Sequence, residues 1–495
     1  MSSHIFQASL IIAISFGINK ILALVRQYLI ASQFGFSPEI DAFNVANNMP
    51  DLIFSLFSGG ALAMAFIPVF AEYLNINGRD LSWKLFSKIT TLIFLITTFA
   101  SLAVALFAPI LVSSQIGVAP GFNSSQQALV VDLIRINLIA TLIFSISGLI
   151  TASLQAHKHF LLPAIAPIFY NLGIIFGAVV LSPFMGIYGL TYGVVLGALL
   201  HLFVQVPGII HFKFSFAFSI DLKDPGVKKI LRLMWPRVLT VLLIQIMFIL
   251  RDNFASRLES GSVTALTYGY FIMQVPESLI GTSIAIALLP TLSSYISQKK
   301  QKEFVTVLST SIRVLIAASI IPTVLIFVTL RPLIDLVFDF SPTQTQLLVL
   351  TTHAFMAGLL AQTLLEVFVR AFYARQEAVV PLYATFFRTV VFIVLGVLFY
   401  QRTGAVGIAA IDTLAVTFEV IILFIWLLPL IQQKTKIVHT FGRAILGSLI
   451  GLFIAWSILS FLQVPPLVQI SIALLLATGV YTIFILKEVR LLIKL

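Results

Sequence analysis

The chain has no cysteine and few charged residues. Without cysteine it can form no disulfide, thiolate metal site or cysteine nucleophile. Lys and Arg together number 30 and Asp and Glu 19, so only 10% of the 495 residues are charged, while 59% are hydrophobic and the mean hydropathy is +1.07. Soluble domains have roughly 25% charged residues. This composition excludes a soluble protein and predicts an all-α polytopic membrane protein.

Several sequence signatures are also absent. The chain has no Walker or dinucleotide glycine-rich fingerprint, no nucleophile-elbow serine and no H-E-x-x-H pair, and its seven histidines do not cluster at metal-ligand spacing. No predicted span has the arginine pattern of a voltage sensor or a TVGYG-like filter. We therefore predict a secondary-type transporter that is not an enzyme and has no cofactor or metal, driven by a coupling cation or by the membrane potential.

Apolar stretches predict about fourteen transmembrane helices, beginning near residues 8, 41, 86, 128, 161, 186, 229, 265, 306, 348, 381, 407, 441 and 466. The abundance of Phe, 44 residues, suits lipid-facing helices better than an outer-membrane barrel. The first span carries Lys20 and Arg26 and no basic region precedes it, so we expect a retained helix and not a signal peptide.

The distribution of basic residues predicts the orientation. With both termini in the cytoplasm, the inner segments hold twenty Lys and Arg and the outer segments four. We therefore predict a bacterial cytoplasmic membrane protein with cytoplasmic termini. This topology and contacts with anionic lipids account for most of the net charge of +11, so no nucleic-acid partner is needed.

The chain repeats itself. The segment 60–73, GALAMAFIPVFAEY, returns as 281–295, GTSIAIALLPTLSSY, and Pro109 and Pro163 have counterparts in Pro332 and Pro381. The offset of about 220 residues spans six helices, so two halves of equal orientation are expected. We predict two pseudo-symmetric six-helix bundles, at 1–210 and 229–433. A cytoplasmic linker is predicted at 211–228, and helices 13 and 14 with a cytoplasmic tail at 434–495.

Predicted spans 1 and 2 each have a polar face. At 100° per residue, span 1 groups Ser15, Asn19, Arg26 and Gln33 beside Lys20 and Gln27. Span 2 follows helical spacing with Asp41, Asn44, Asn48, Asp51, Ser55 and Gly59. An ionisable group at the bilayer centre costs at least about 2.5 kcal/mol, so these faces are expected to meet water, a polar ligand or protein. The alternative is that they supply interhelical hydrogen bonds.

Later spans carry weaker polar patterns. Span 8 has a stripe of Tyr270, Gln274, Glu277 and Gly281, and span 10 has Gln362, Glu366 and Arg370 at intervals of four. For span 10 we predict an intrahelical ion pair between Glu366 and Arg370. Asp412, a lone carboxylate in span 12, and Glu277 are candidates for a coupling cation. Arg135, Arg237 and Arg313 are expected to reach the membrane surface, whereas Arg388 either does so or faces protein.

Short motifs follow one another in order over the first 300 residues. They are 19–27 (NKILALVRQ), 34–35 (FG), 41–43 (DAF), 49–52 (MPDL), 60–73, 119–122 (APGF), 153–156 (SLQA), 163–167 (PAIAP) and 260–263 (SGSV). In these stretches the chain resembles the MurJ/MviN lipid II flippases of the multidrug, oligosaccharidyl-lipid and polysaccharide exporter superfamily. The chain departs from the family pattern at four places. Lys20 stands for Arg, Gln27 for Asp, and Tyr270 and Phe271 for an Asp-Arg pair, while the segment after Pro50 lacks the usual Arg and Glu.

The resemblance implies two six-helix bundles in a V around a cationic cavity, with helices 13 and 14 forming a lipid-facing groove. It also implies transport of undecaprenyl-pyrophosphate-linked lipid II from the inner to the outer leaflet by alternating access, in cell-wall biogenesis and cell shape, alongside other cell-wall synthesis proteins. The predicted substrate-binding residues are Lys20, Arg26, Asp41, Asn19, Asn44, Asn48, Asp51 and Gln274. Lys20 and Arg26 would hold the pyrophosphate.

Three alternatives stay open on the sequence. The first is a flippase for another lipid-linked saccharide, of the O-antigen or capsule type. The second is a cation-coupled drug antiporter of the same superfamily, whose site would centre on Asp412 or Glu277. The third is a non-transporting scaffold of envelope synthesis.

Overall fold

A computed structural model describes residues 3–76, 78–430 and 434–492 of the chain. These residues form helices and loops, without a β-strand. The predicted all-α class is confirmed. The fold divides into two compact units, Met1–Ser260 and Gly261–Leu495. Residues 493–495, which end the predicted cytoplasmic tail and include Lys494, lie outside the described residues.

The first unit holds eleven of the described helices. They are α1 (Ser3–Phe34), α2 (Pro38–Ala46), α3 (Asn48–Phe57), α4 (Gly60–Ile76), α5 (Arg79–Ser113), α6 (Ser124–Ala156), α7 (Leu161–Phe176), α8 (Ser182–Met185), α9 (Ile187–Phe203), α10 (Val206–His211) and α11 (Pro225–Ser256). A π-helical turn, Gly177–Leu181, joins α7 to α8.

The second unit holds the other nine. They are α12 (Ser262–Glu277), α13 (Ser283–Ser297), α14 (Gln301–Val337), α15 (Pro342–Met356), α16 (Leu359–Ala374), α17 (Val379–Leu427), α18 (Lys434–Phe461), α19 (Pro466–Phe484) and α20 (Leu486–Leu492). A π-helical turn, Ser278–Thr282, joins α12 to α13, and a 3-10 turn, Leu428–Leu430, follows α17.

Twelve helical segments of the described chain are long and apolar enough to cross a membrane, or thirteen when the bent pair α15 and α16 counts as one span. The predicted number of fourteen is not confirmed, and the difference lies in α17. Gly404 interrupts this helix with φ +64°. Arg388 and Asp412, 24 residues apart, nevertheless form an ion pair. Because 24 residues of straight helix rise about 36 Å, the two halves of α17 must fold back at Gly404.

The halves of the sequence repeat their helix bounds. α5 and α14 begin 222 residues apart, at Arg79 and Gln301. α6 and α15 begin 218 apart, at Ser124 and Pro342. The repeat predicted from proline positions therefore extends to helix starts, while α18 and α19 have no counterpart in the first half.

Predicted span 2 is not one continuous helix. Pro50 has no N–H for the carbonyl of Ala46, so the helix breaks between α2 and α3. The side-chain amide groups of Asn47 and Asn48, at the break, donate to carbonyls of the preceding turn, those of Phe43 at 3.0 Å and Val45 at 3.1 Å. The predicted polar stripe from Asp41 to Gly59 is therefore distributed over two consecutive helices, with Gly59 beyond the end of α3.

Glycines bring α7 and α9 into backbone contact. A Cβ atom on Gly177 would lie 2.5 Å from Cα of Gly193, and one on Gly173 would overlap the backbone of Gly197. Both helices carry these glycines at intervals of four residues, the spacing that allows close approach of membrane helices.

The core of the first unit joins α4, α5, α6 and α11. Phe66 and Phe70, one turn apart on α4, stack at 5.0 Å between ring centroids, and Trp83 of α5 packs against Phe70. Val227 and Ile230 at the start of α11 complete the cluster and are almost fully buried. Contacts between helices therefore place α11, which the sequence assigned to the second bundle, in the first compact unit. The sequence-based boundaries follow the repeat and stay a prediction.

The predicted linker lies along α5. Lys88 pairs with Asp221 at 2.9 Å and with Asp224 at 2.8 Å. Asp224 also caps α11, because its Oδ1 accepts from the N–H groups of Gly226 and Val227. Partial burial acts to raise the pKa of Asp224, but the hydrogen bonds from Lys88 and the two backbone N–H groups outweigh it and lower the pKa.

In the second unit, α18 and α19 form a hairpin against α14. Nε2 of Gln469 donates to carbonyls in the last turn of α18, at Ile458 and Leu459, and to that of Leu462 just after it. The buried hydroxyl of Tyr481 on α19 donates to the carbonyl of Ala317 on α14 at 2.5 Å. These contacts fix the two additional helices to the repeated part of the fold.

Candidate functional site

A cavity of about 320 Å³ lies within the first unit. Its walls combine aromatic rings with a few polar groups. The lining residues are Asn47, Pro50, Asp51, Phe54, Asn137, Ala140, Thr141, Phe144, Pro167, Tyr170, Val194 and His201. A mainly apolar wall with convergent polar groups is typical of ligand sites.

The break after α2 places the polar groups of one wall. Asp51 lies in the first turn of α3 and leaves its carboxylate exposed, in electrostatic reach of the Tyr170 hydroxyl. Oδ1 of Asn47 accepts from Nδ2 of Asn137 on α6 at 2.9 Å. Oδ1 of Asn137 is buried and has no hydrogen-bond partner among the described residues. The wall therefore offers acceptor oxygens to a polar ligand.

Another part of the wall is stabilised by a buried hydrogen-bond network between α6, α9 and the N-cap of α10. Nδ1 of His201 lies 2.6 Å from the hydroxyl of Ser147, which also accepts from Nε2 of Gln205 at 2.9 Å. The His201 ring meets Phe144 edge to face, at 5.2 Å between centroids. Because its Nδ1 and ring are held, His201 is a positioned polar group in a mostly apolar wall.

Arg26 lies next to the cavity and is fixed by one asparagine. Nη1 of Arg26 donates to Oδ1 of Asn171 on α7 at 2.9 Å, and Nδ2 of Asn171 donates to Oδ1 of Asn19 at 2.7 Å. Asn171 is 4% exposed and neighbours the cavity residue Tyr170, which interacts electrostatically with Arg26. Asn171 accepts from one of the five N–H groups of the Arg26 guanidinium, so the guanidinium retains donors for an anion.

The other residues predicted on spans 1 and 2 lie elsewhere. Lys20 places its Nζ 5.5 Å from the centroid of Phe16, and Asp41 is only 1% exposed. Asn48 is buried and donates to Oδ2 of Asp252 on α11 at 2.8 Å, an interhelical hydrogen bond. Within the described residues, the cavity lining includes Asp51 but not Asp41, Asn44 or Asn48. The cavity lining likewise contains no Lys or Arg among these residues, in contrast to the cationic cavity that the resemblance implies.

The second unit contains a buried ionic cluster in α17. Nη2 of Arg388 lies 3.1 Å from Oδ1 of Asp412, and its Nη1 lies 3.2 Å from Oε2 of Glu419. Thr385 donates to Oε1 of Glu419 at 2.6 Å. Asp412 is therefore not the lone carboxylate that the sequence suggested, and Arg388 faces protein. The fold-back at Gly404 brings these distant positions together.

The remaining predicted residues of the second unit lie on α12 and α16. Gln274 is exposed, and Glu277 accepts from the hydroxyl of Thr282 at 3.1 Å across the π-helical turn. The predicted ion pair between Glu366 and Arg370 is present. Arg313, expected at the membrane surface, pairs with Glu488 at 2.6 Å, because α20 returns to α14.

Sequence reasoning missed several polar residues of the site: Asn47, Asn137, Thr141, Tyr170, Asn171 and His201. Asn171 and His201 each stand in a mostly apolar predicted span, a signal that could have identified them.

Helices long and apolar enough to cross a membrane, with a cavity among them that carries a few polar groups, are typical of a multi-pass membrane transporter. The family model of the lipid II flippase MurJ matches residues 30–477. The chain therefore belongs to the MurJ family of lipid II flippases.

Individual relatives agree with this membership. A lipid II flippase MurJ of Burkholderia cenocepacia is 29% identical over 391 residues, which cover 76% of this chain and 75% of the relative. The solved structure of a lipid II flippase MurJ in an inward closed conformation has a TM-score of 0.82 and 24% identity, covering 97% of this chain and 100% of the other. An inward-facing multidrug resistance MATE family transporter of the MOP superfamily has a TM-score of 0.70 and 13% identity, covering 87% and 98%. At these identities the two structural likenesses describe the fold.

Proposed function

We propose that this protein moves the undecaprenyl-pyrophosphate-linked peptidoglycan precursor lipid II from the inner to the outer leaflet by alternating access. Membership of the lipid II flippase family over residues 30–477 carries the proposal. The polar cavity supports it, because a saccharide crossing the bilayer needs hydrogen-bonding groups sheltered from lipid.

Two groups of residues would bind different parts of the lipid II head group. Arg26 and Lys20 would hold the pyrophosphate, the first through its planar fork and the second as a point charge. Asn19, Asp41, Asn44, Asn48, Asp51 and Gln274 would contact sugar or peptide groups. Asp51 is the member of this set that lines the cavity, so it carries the strongest support.

The proposal includes a topology. The protein would lie in the bacterial cytoplasmic membrane with fourteen spans and cytoplasmic termini, because the predicted inner segments hold twenty of the basic residues. The bundles at 1–210 and 229–433, the linker at 211–228 and the final segment 434–495 would form its parts. Anionic lipids and other cell-wall synthesis proteins are proposed partners, and a coupling cation or the membrane potential is the proposed energy source.

The test is lipid II translocation by the full chain in proteoliposomes, with Arg26→Ala, Arg26→Lys and Arg135→Ala. We expect Arg26→Ala to lower translocation at least roughly tenfold, because a charge-assisted hydrogen bond contributes about 1.5–3 kcal/mol. Arg26→Lys should retain part of the activity. Arg135, whose side chain is 48% exposed, is the matched control and should be dispensable. Full complementation of a flippase-depleted strain by folded Arg26→Ala would contradict the assignment.

A second candidate is a flippase for another lipid-linked saccharide. The departures from the family pattern after Pro50 and at Tyr270 and Phe271 favour it, because cations expected there are missing. Translocation should be compared for lipid II and for an O-antigen-type undecaprenyl-pyrophosphate saccharide in the same vesicles. Faster movement of the second carrier would assign the protein to it, and export of a cationic dye without lipid movement would favour an antiporter.

A further inference from the structure

A second polar site lies in the second unit, far along the chain from the cavity residues. A cleft of about 510 Å³ is lined by Arg313, Lys436, His439, Arg443 and Lys487. These residues come from α14, from the first turns of α18 and from α20. The volume lies within the range of roughly 300–1,000 Å³ typical of small-molecule sites.

A buried carboxylate organises the cations. Glu488 is 1% exposed, and its Oε1 accepts from Nη2 of Arg313 at 2.6 Å, from Nη2 of Arg443 at 2.7 Å and from the hydroxyl of Thr440 at 2.8 Å. Burial acts to raise the pKa of Glu488, but the hydrogen bonds from Thr440 and Arg313 and the charge of Arg443 outweigh it and lower the pKa. Glu488 therefore stays ionised and holds two guanidinium groups side by side.

The cleft keeps a positive excess. Its four Lys and Arg side chains face one carboxylate, so its formal charge is +3 with His439 neutral. Lys436 and Lys487 are exposed and add mobile ammonium groups to the fixed arginines. Such an arrangement matches a phosphate group, which Arg binds through its fork and Lys as a point charge.

The position of the cleft indicates the source of the phosphate. The candidate span of α18 begins at Lys436 and that of α19 ends at Phe484, so the cleft lies where two spans leave the apolar layer. Beside it, α18 exposes an apolar row, with Val438 68%, Phe441 42% and Ile445 36% exposed. A ligand with an anionic head group and acyl chains can contact both the basic cleft and the apolar row of α18, whereas free phosphate can contact only the cleft.

We propose that this cleft binds the phosphate of an anionic phospholipid, whose acyl chains lie along the exposed face of α18. Basic pockets between membrane helices are a known physical solution for anionic head groups. The site is separate from the proposed transport function and does not depend on which saccharide the protein moves.

The experiment is native mass spectrometry of the purified full chain with dioleoyl phosphatidylglycerol or dioleoyl phosphatidylcholine. We expect wild type to retain phosphatidylglycerol in preference to phosphatidylcholine. The double variant K436Q/K487Q should bind phosphatidylglycerol roughly 30-fold more weakly, because two surface cations are lost. The double variant K300Q/K302Q removes the same charge from exposed positions outside the cleft and should bind like wild type.

The variant E488Q should change the affinity for phosphatidylglycerol in the opposite direction. The amide keeps an acceptor oxygen but removes the negative charge, so phosphatidylglycerol binding should tighten, an effect that misfolding would not produce. Two outcomes would overturn the proposal: equal weakening by K436Q/K487Q and K300Q/K302Q, or displacement of the lipid by millimolar inorganic phosphate with no preference between the two phospholipids. Retention of phosphatidylglycerol against phosphate would support it.

Discussion

Asn171 accepts a 2.9 Å hydrogen bond from Arg26 across 145 residues of sequence. Its amide nitrogen at the same time donates to Asn19, which lies about two turns before the arginine on the same face of α1. A single side chain of α7 therefore sets the direction of the cation beside the cavity.

Asn171→Leu should impair transport more than stability. The substitution removes the hydrogen bond that holds Arg26. We expect lipid II translocation to fall roughly tenfold, which corresponds to about 1.4 kcal/mol of lost interaction free energy between the protein and its substrate. Stability should fall by only about 1 kcal/mol, since interhelical hydrogen bonds in membranes average about 0.6 kcal/mol. Translocation in proteoliposomes and thermal unfolding in detergent measure the two effects.

Gln469→Leu is the matched control, because it removes an interhelical side-chain amide, which donates to carbonyls of α18, at a position outside the proposed substrate-binding set. It should retain most of the transport activity. Equal impairment by Gln469→Leu and Asn171→Leu would show that the asparagine does not act through Arg26.

Gly173→Ala should destabilise the contact between α7 and α9. The added methyl group overlaps the backbone of Gly197, and such overpacking costs typically about 1–3 kcal/mol. Gly17→Ala on α1 is the control, since nothing lies within 4 Å of its added Cβ, and Ala stabilises a helix interior by up to about 1 kcal/mol. Thermal unfolding that ranks Gly173→Ala at or above Gly17→Ala would contradict this packing.

Arg388→Met should sharply reduce the amount of folded protein. It leaves the buried carboxylates of Asp412 and Glu419 without their cation, and breaking a buried ion pair costs about 3–5 kcal/mol. Adding Asp412→Asn and Glu419→Gln removes both charges and should restore folding in size-exclusion chromatography. If the triple variant folds no better than Arg388→Met, charge compensation is not the reason for the arginine.

Asp224 allows a test of pH dependence. Its pKa is lowered in the folded protein, so the unfolded chain binds more protons as the pH falls, and acid favours unfolding. The stabilisation by Asp224 should be complete above the ordinary aspartate pKa of about 3.9 and be lost as the pH falls below it. The difference in melting temperature between wild type and Asp224→Asn should therefore be constant between roughly pH 5 and pH 8 and should shrink at lower pH.

Asp224→Ala separates the helix cap from the charge. Asn can still cap α11, whereas Ala cannot, so Asp224→Ala should lose about 1 kcal/mol more than Asp224→Asn. Identical melting temperatures for the two variants would mean that the cap does not stabilise this helix.

The sequence predicted the fold class and most of the helices correctly. It placed Arg26 and Asp51 on polar faces, and the structure puts Arg26 beside the cavity and Asp51 in its lining. It failed where a helix was assumed to be continuous. The helix that carries Asp41 ends at Ala46 and Asp51 lies on the next one, and the structure buries Asp41 while Asp51 lines the cavity. Helical periodicity is informative only between residues of one unbroken helix.

The sequence by itself determined that this is a duplicated, multi-pass helical protein, because lipid requires long apolar segments and interior backbone hydrogen bonds whatever the helices pack against. Only the tertiary structure decided which polar groups meet. Arg388 and Asp412 become neighbours through the fold-back at Gly404, and Arg26 and Asn171 through the packing of α1 against α7. These contacts depend on how helices rotate and approach one another, which the spacing of residues along one helix does not specify.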